Sequence, residues 1–203
     1  MPPLQREGDS LEFDNSFTVP LAPDETWVLL RDIERIAPCM PGATLTETVD
    51  ADTYKGEVSV RLGPVSLTFK GQAHFEAIDD AARTARVKAD GRDAKGRGGA
   101  NATVDFSVEP GEEGSTVQIH TNLKLSGPVA QYGRGVGMVQ DLASQLIGQF
   151  AESLKAELAL NPADADADPA SVETPAAKPI SGFSLMFKVL WNAVLRLFGK
   201  RAA

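Results

Sequence analysis

Cysteine occurs once in the 203 residues, at Cys39, and histidine twice, at His74 and His120. An intramolecular disulfide framework is therefore excluded, as is any multi-cysteine zinc or iron–sulfur site. A cationic excess is also missing. Lys and Arg number 20 against 28 Asp and Glu, a net charge of -8, which leaves no long-range pull on a polyanion and disfavours nucleic acid as a partner. The start Met1-Pro2-Pro3 carries no basic-then-apolar leader. With so little cysteine, it points to a protein that stays in the cytoplasm. What is plentiful is apolar side chain: 42% hydrophobic and 24% charged residues allow a sizeable core. Ordinary domains run about 100 to 150 residues, so the length suits one core with appendages.

The charge is unevenly spread. Residues 1–160 hold 15 basic and 24 acidic side chains, residues 161–179 one and four, and residues 180–203 four and none. The middle piece carries Pro162, Pro169, Pro175 and Pro179 among alternating Ala and Asp, with Val172 as its one apolar side chain larger than alanine. Such a segment buries too little to offset the entropy of ordering, and reads as a disordered tether reaching roughly 20 to 30 Å. The expected organisation is a loose stretch over 1–10, a domain over 11–160, the tether over 161–179 and a tail over 180–203.

Within 11–160 the periodicity changes in order. Tyr54, Gly56, Val58, Val60 and Leu62 alternate with polar residues, Gly63-Pro64 breaks the run, and Val65, Leu67, Phe69, Gly71, Ala73 and Phe75 alternate again. This predicts a hairpin of long strands. Period two recurs in 83–90, 102–108 and 117–125, giving a meander of five or six antiparallel strands. After Ser126-Gly127-Pro128, the positions Val139, Leu142, Ala143, Leu146, Ile147, Phe150, Leu154 and Leu158 take helical spacing. Phe13, Phe17 and Val19 suggest a first strand. Pro23-Asp24-Glu25 suits the first turn of a helix containing Trp27 and Leu30, with a short second helix through Ile33 and Ile36. Strand, two short helices, meander and long final helix is the order of an α+β helix-grip fold, a curved antiparallel sheet wrapped around its last helix. A bent sheet closed by a single helix tends to leave an apolar chamber.

Trp27, Leu30-Arg31-Asp32, Ala37-Pro38-Cys39-Met40-Pro41-Gly42, Gly56, Leu62-Gly63-Pro64, Phe69-Lys70-Gly71, Gly91 with Asp93 and Gly96, and Gly127-Pro128-Val129-Ala130-Gln131-Tyr132-Gly133 come in an order and spacing that resembles the G-subunit family of carbon monoxide dehydrogenase. That family is a branch of the START-like (SRPBCC) ligand-binding superfamily, and the resemblance covers roughly residues 12–158. It implies a helix-grip fold, partnership with a molybdenum carbon monoxide dehydrogenase, attachment of that enzyme to the cytoplasmic membrane, and no catalytic set to carry over.

The side chains themselves offer little chemistry. By strand parity His74 lies with Lys70, Gln72 and Glu76, and His120 with Gln118, Asn122 and Lys124, so both face solvent. Cys39, in a Pro-rich turn with no histidine inside the domain, reads as a small buried hydrophobe. Gly133-Arg134-Gly135-Val136-Gly137 lacks the Lys-Ser/Thr pair and the parallel strand of a phosphate loop. It reads either as turn geometry or as a place where a ligand approaches the backbone, with Tyr132 and Arg134 as donors. Arg92, Lys95 and Arg97 form a basic loop in an acidic domain, read as a solvated turn or a contact surface.

In the tail, Phe183, Met186, Phe187, Leu190, Trp191, Val194, Leu197 and Phe198 fall within about 140° of a helix circumference, opposite Lys188, Arg196 and Lys200. Burying that face in a bilayer surface yields on the order of 10 kcal/mol gross. The two internal cations argue against spanning, so the tail is expected to lie on the membrane as an amphipathic helix. Chamber, tether and tail together suggest a peripheral protein at the cytoplasmic face of the membrane. On this reading it is an accessory protein, not an enzyme, that carries a respiratory quinone (menaquinone or ubiquinone) between the bilayer and the dehydrogenase, with no covalently bound cofactor and no metal. The expected lining is Tyr54, Val58, Val60, Phe69, Met138, Leu142 and Leu146, with Tyr132, Arg134, Met40 and Pro41 at the mouth. The alternatives are an adaptor with a solid core that only recruits the enzyme, and a polyketide-cyclase-like enzyme, which needs an acid or base inside.

Overall fold

The alternating segments resolve into seven strands of one antiparallel sheet, ordered β1-β7-β6-β5-β4-β3-β2, in the computed structural model, which describes residues 10–133 and 136–160. The strands are β1 (Ser10–Val19), β2 (Ala43–Thr48), β3 (Thr53–Leu62), β4 (Val65–Asp79), β5 (Thr84–Asp93), β6 (Gly99–Gly111) and β7 (Gly114–Ser126). From β2 to β7 each strand pairs with its successor, and β1 returns to pair with β7 from Ser10↔Lys124 to Val19↔Ser115. The edge strand β2 leaves little trace in the sequence pattern: only alternate residues of its first half are partly buried, and its second half is exposed. Register shifts between Leu45 and Glu47 and between Phe75 and Ala77 add bend to a sheet that must curve.

Between β1 and β2 lie α1 (Pro23–Arg31), α2 (Ile33–Ile36) and a 3-10 turn over Ala37–Cys39. Pro23 starts α1 where its missing N–H costs nothing, and the Glu25 carboxylate accepts the Ala22 N–H at 3.0 Å. After β7, a 3-10 turn over Gly127–Val129 and α3 (Ala130–Gly133) lead into α4 (Val136–Leu160).

The concave face of the sheet carries the core. Phe17, Val19, Trp27, Val108, Val117, Phe150 and Leu154 are buried together, with Phe17 and Phe150 edge-to-face at 5.5 Å between ring centroids. One polar pair sits among them: the Thr26 and Ser115 hydroxyls are 2.7 Å apart, and both residues are fully enclosed. The α4 stripe expected from the sequence meets the sheet through Val139, Phe150, Ala151 and Leu154, and the helix packs chiefly against β1. The tether over 161–179, the tail from Phe183 to Lys200, and Arg134 lie outside the described residues.

Candidate functional site

Because α4 leans toward β1, the concave face of β3, β4 and β5 is left partly uncovered. Inward positions there follow strand parity, and small residues occupy them row by row. Gly56, Gly71, Gly91 and Ala100 stand opposite one another across β3 to β6, and the next row runs Tyr54, Ala73, Ala89, Ala102. Above this floor is a cavity of about 530 Å³, walled by Tyr54, Val58, Phe69, Val104, Leu123 and Leu146 and bordered by Ile33, Ala37, Ala43 and Leu45. A narrower pocket of about 180 Å³ adjoins it, sharing Phe69, Ala100, Leu123 and Leu146 and extending past Val60 and Leu142 to Val129. The larger space lies in the size range of small-molecule sites.

At Gly71 the neighbouring strand approaches too closely for any side chain. A Cβ built there would fall 1.8 Å from the Asp90 carbonyl oxygen, so the chain at this point admits only hydrogen.

Charged residues border the cavity without serving it. The Lys55 ammonium pairs with Glu47 at 3.0 Å and the Glu57 carboxylate with Lys70 at 2.5 Å, on the opposite side of the strand from the floor. Asp93 is a buried carboxylate on the inward face of β5, 4% exposed. Its two oxygens accept four hydrogen bonds, three at Oδ2 and one at Oδ1. Arg97 Nε and Nη2 each donate at 2.8 Å, and the Lys95 and Arg97 backbone N–H groups add 3.0 and 3.2 Å. The Arg97 guanidinium holds that carboxyl far below the usual carboxylate range, offsetting the burial that acts in the opposite direction. Asp93 is a locked anion. It fastens the loop over 93–98 to β4, where Arg97 Nη2 reaches the Ser66 carbonyl at 2.9 Å, and it closes that end beside Leu62, Leu67 and Val129.

The other sequence candidates settle as follows. Tyr54, Val58, Val60, Phe69, Leu142 and Leu146 line one or both spaces. The Tyr54 hydroxyl donates to the Ala51 carbonyl at 2.8 Å, and burial raises its pKa, so it presents a ring to the cavity and stays protonated. Met138, expected as lining, is instead 51% exposed: Val139, Leu142 and Leu146 set the helical phase facing the sheet, and one residue earlier lies about 100° away. Met40 packs against the main core beside Cys39, and neither it nor Pro41 borders the cavity; Ala37, Ala43 and Thr44 hold the rim. Tyr132 is not at the mouth either, but packs in the cluster around Leu62, Leu67 and Val129. Cys39 is buried, and desolvation raises its thiol pKa, with Glu157 adding to the effect, as expected of an unreactive thiol. His74 and His120 are exposed, with Nδ1 atoms 3.0 Å from the Thr53 hydroxyl and 2.7 Å from Asp14. A shallow depression of about 480 Å³ involves Asp14, Arg86, Asp105 and His120, but these already pair with one another.

Sequence reasoning misses the floor itself: Ala73, Ala89, Ala100, Ala102, Gly71 and Gly91. The signal is present as small residues at inward parity on three consecutive strands, β4 to β6. It emerges only when strand registers are known, because no single strand shows it.

Among the described residues no cluster of His, Cys, Asp and Glu suits a metal ion, and no helix is long and apolar enough to cross a membrane. A conserved protein from Geobacillus kaustophilus shares 20% identity and a TM-score of 0.62, over 75% of this chain and 96% of its own. The Zhui aromatase/cyclase from Streptomyces sp. R1128 shares 11% identity and a TM-score of 0.53, again over 75% and 96%. At these identities the likeness shows the helix-grip fold alone. No curated protein matches the sequence. The family model of the carbon monoxide dehydrogenase G subunit, CoxG, matches residues 16–159, a span enclosing nearly the whole sheet and α4. The chain belongs to the CoxG family.

Proposed function

We propose that this domain is a carrier for a lipophilic respiratory quinone, menaquinone or ubiquinone, which it presents to a molybdenum-containing carbon monoxide dehydrogenase. The observation that supports this reading is the apolar cavity of about 530 Å³ over a floor of Gly and Ala, continued by a narrower apolar pocket. A floor of hydrogens and methyl groups suits a planar ring, and an isoprenoid chain suits the narrower extension. The family name supplies the association with the dehydrogenase. In this reading the protein acts without chemistry of its own; the buried carboxylate of β5, Asp93, is held as a salt-bridged anion and has no proton to give. The tail, lying on the cytoplasmic face of the membrane, keeps the carrier near the quinone pool.

The test is solvent extraction of the full chain purified from its native host, followed by mass spectrometry. A prenylated quinone in the extract at near-stoichiometric amount is expected. An extract free of quinone, with no uptake of added quinone by the purified protein, overturns the carrier and leaves a recruitment adaptor.

A further inference from the structure

The two ends of the sheet carry opposite charge. Hairpin tips alternate between them, so one end gathers the turns after β2, β4 and β6 and the other the turns after β3, β5 and β7. The first set bears Asp50, Asp52, Asp79, Asp80, Glu112 and Glu113. Arg83, at that same end, pairs with Asp24 at 2.8 Å. The second set bears Arg61 at the end of β3, Arg92 at the end of β5 and Lys95 in the following loop, all exposed. The one carboxylate in that loop, Asp93, is buried and neutralised by Arg97. None of Arg61, Arg92 and Lys95 makes an ion pair among the described residues. The tips between these cations are uncharged: Gly63-Pro64, Ala94 and Gly127-Pro128 are exposed, and so is Met138 in the first turn of α4, at the same end.

A chain of net charge -8 that keeps unpaired cations together at one end has a field that orients it toward an anionic surface. The cations stand on two hairpins, Arg61 on β3–β4 and Arg92 and Lys95 on β5–β6, and line no pocket among the described residues, so they match a diffuse sheet of negative charge better than a single anion. Uncharged tips of Pro, Gly and Met between them suit a headgroup layer, where apolar side chains enter and cations stay at the phosphates.

We propose that the end formed by Arg61, Arg92, Lys95 and the Gly63-Pro64 turn docks on anionic lipid headgroups, with the acidic hairpins pointing away. The choice of a lipid surface over an acidic protein rests on the carrier reading. The docking itself needs no cargo, so it is tested with quinone-free vesicles and can fail while extraction still finds quinone.

The experiment uses the full chain and vesicles of phosphatidylcholine with phosphatidylglycerol. Each cation near such a surface contributes about a fivefold factor, so the variant Arg61→Ala/Arg92→Ala/Lys95→Ala binds about a hundredfold more weakly while keeping its thermal unfolding midpoint. Glu112→Lys/Glu113→Lys, at the far end, binds no less tightly than the parent. Orientation is read separately. In a Cys39→Ala background, a fluorophore on Pro64→Cys is quenched by brominated lipid and one on Glu112→Cys is not. Equal quenching at both positions, or unchanged affinity of the triple variant, overturns the proposal. If the triple variant keeps vesicle affinity but loses binding to the purified dehydrogenase, the basic end is a protein-docking surface and the proposal is likewise overturned.

Discussion

The concave face of this sheet is built twice, with different side chains on the same scaffold. Under α4, β1 and β7 turn inward Leu11, Phe13, Phe17, Val117 and Leu123, and the helix answers with Val139, Phe150 and Leu154. On β3 to β6 the equivalent inward rows hold Gly56, Gly71, Gly91, Ala73, Ala89, Ala100 and Ala102. Backbone pairing is continuous across both halves. What separates a filled core from an open chamber here is the row of small side chains on β3 to β6 together with a helix that packs chiefly against β1.

That contrast can be broken from either half. The largest effect is expected from Phe150→Ala, which empties the filled half and loses the edge-to-face contact with Phe17. Denaturant unfolding should show a loss of about 3 to 5 kcal/mol. Next comes Gly71→Val, whose Cβ would collide with the Asp90 backbone; about 1 to 3 kcal/mol of destabilisation is expected, read as a lower unfolding midpoint. Ala102→Phe sharpens the comparison, because it adds a ring to empty space: stability should move by about 1 kcal/mol or less while the cavity closes, seen as a melting temperature within a few degrees of the parent's with lost uptake of apolar dyes.

The smallest effect lies on the convex face, away from either half. The hydrogen bond to Asp14 raises the His120 pKa. A raised folded-state value means a contribution that is complete below the unfolded histidine value of about 6.5 and lost as the pH climbs through the folded value. Asp14→Asn should flatten the stability profile in that window, and a profile unchanged by the substitution would show that the exposed pair contributes nothing.

Much of this is legible in the sequence because period two and period 3.6 are properties of contiguous residues. The meander, the phase of α4 through Val139, Leu146 and Phe150, the solvent-facing histidines and the buried Cys39 all follow from local pattern. The floor of the chamber does not, since Gly71 faces Gly91 only through a register no single strand encodes. Sequence reasoning misplaces Met138 by one helical step, and Met40 and Pro41 by a turn whose path depends on packing against the core. Asp93 stands in the sequence only as one element of a family pattern; its role as a locked inward anion depends on the loop folding Arg97 back over it.

The carrier role requires that the open half admit a guest. Calorimetric titration of the full chain with a short-chain quinone should give about one site per protein for the parent and no measurable heat for Ala102→Phe. Binding by that variant as tight as the parent's, or no binding by either, would contradict the chamber as a ligand site.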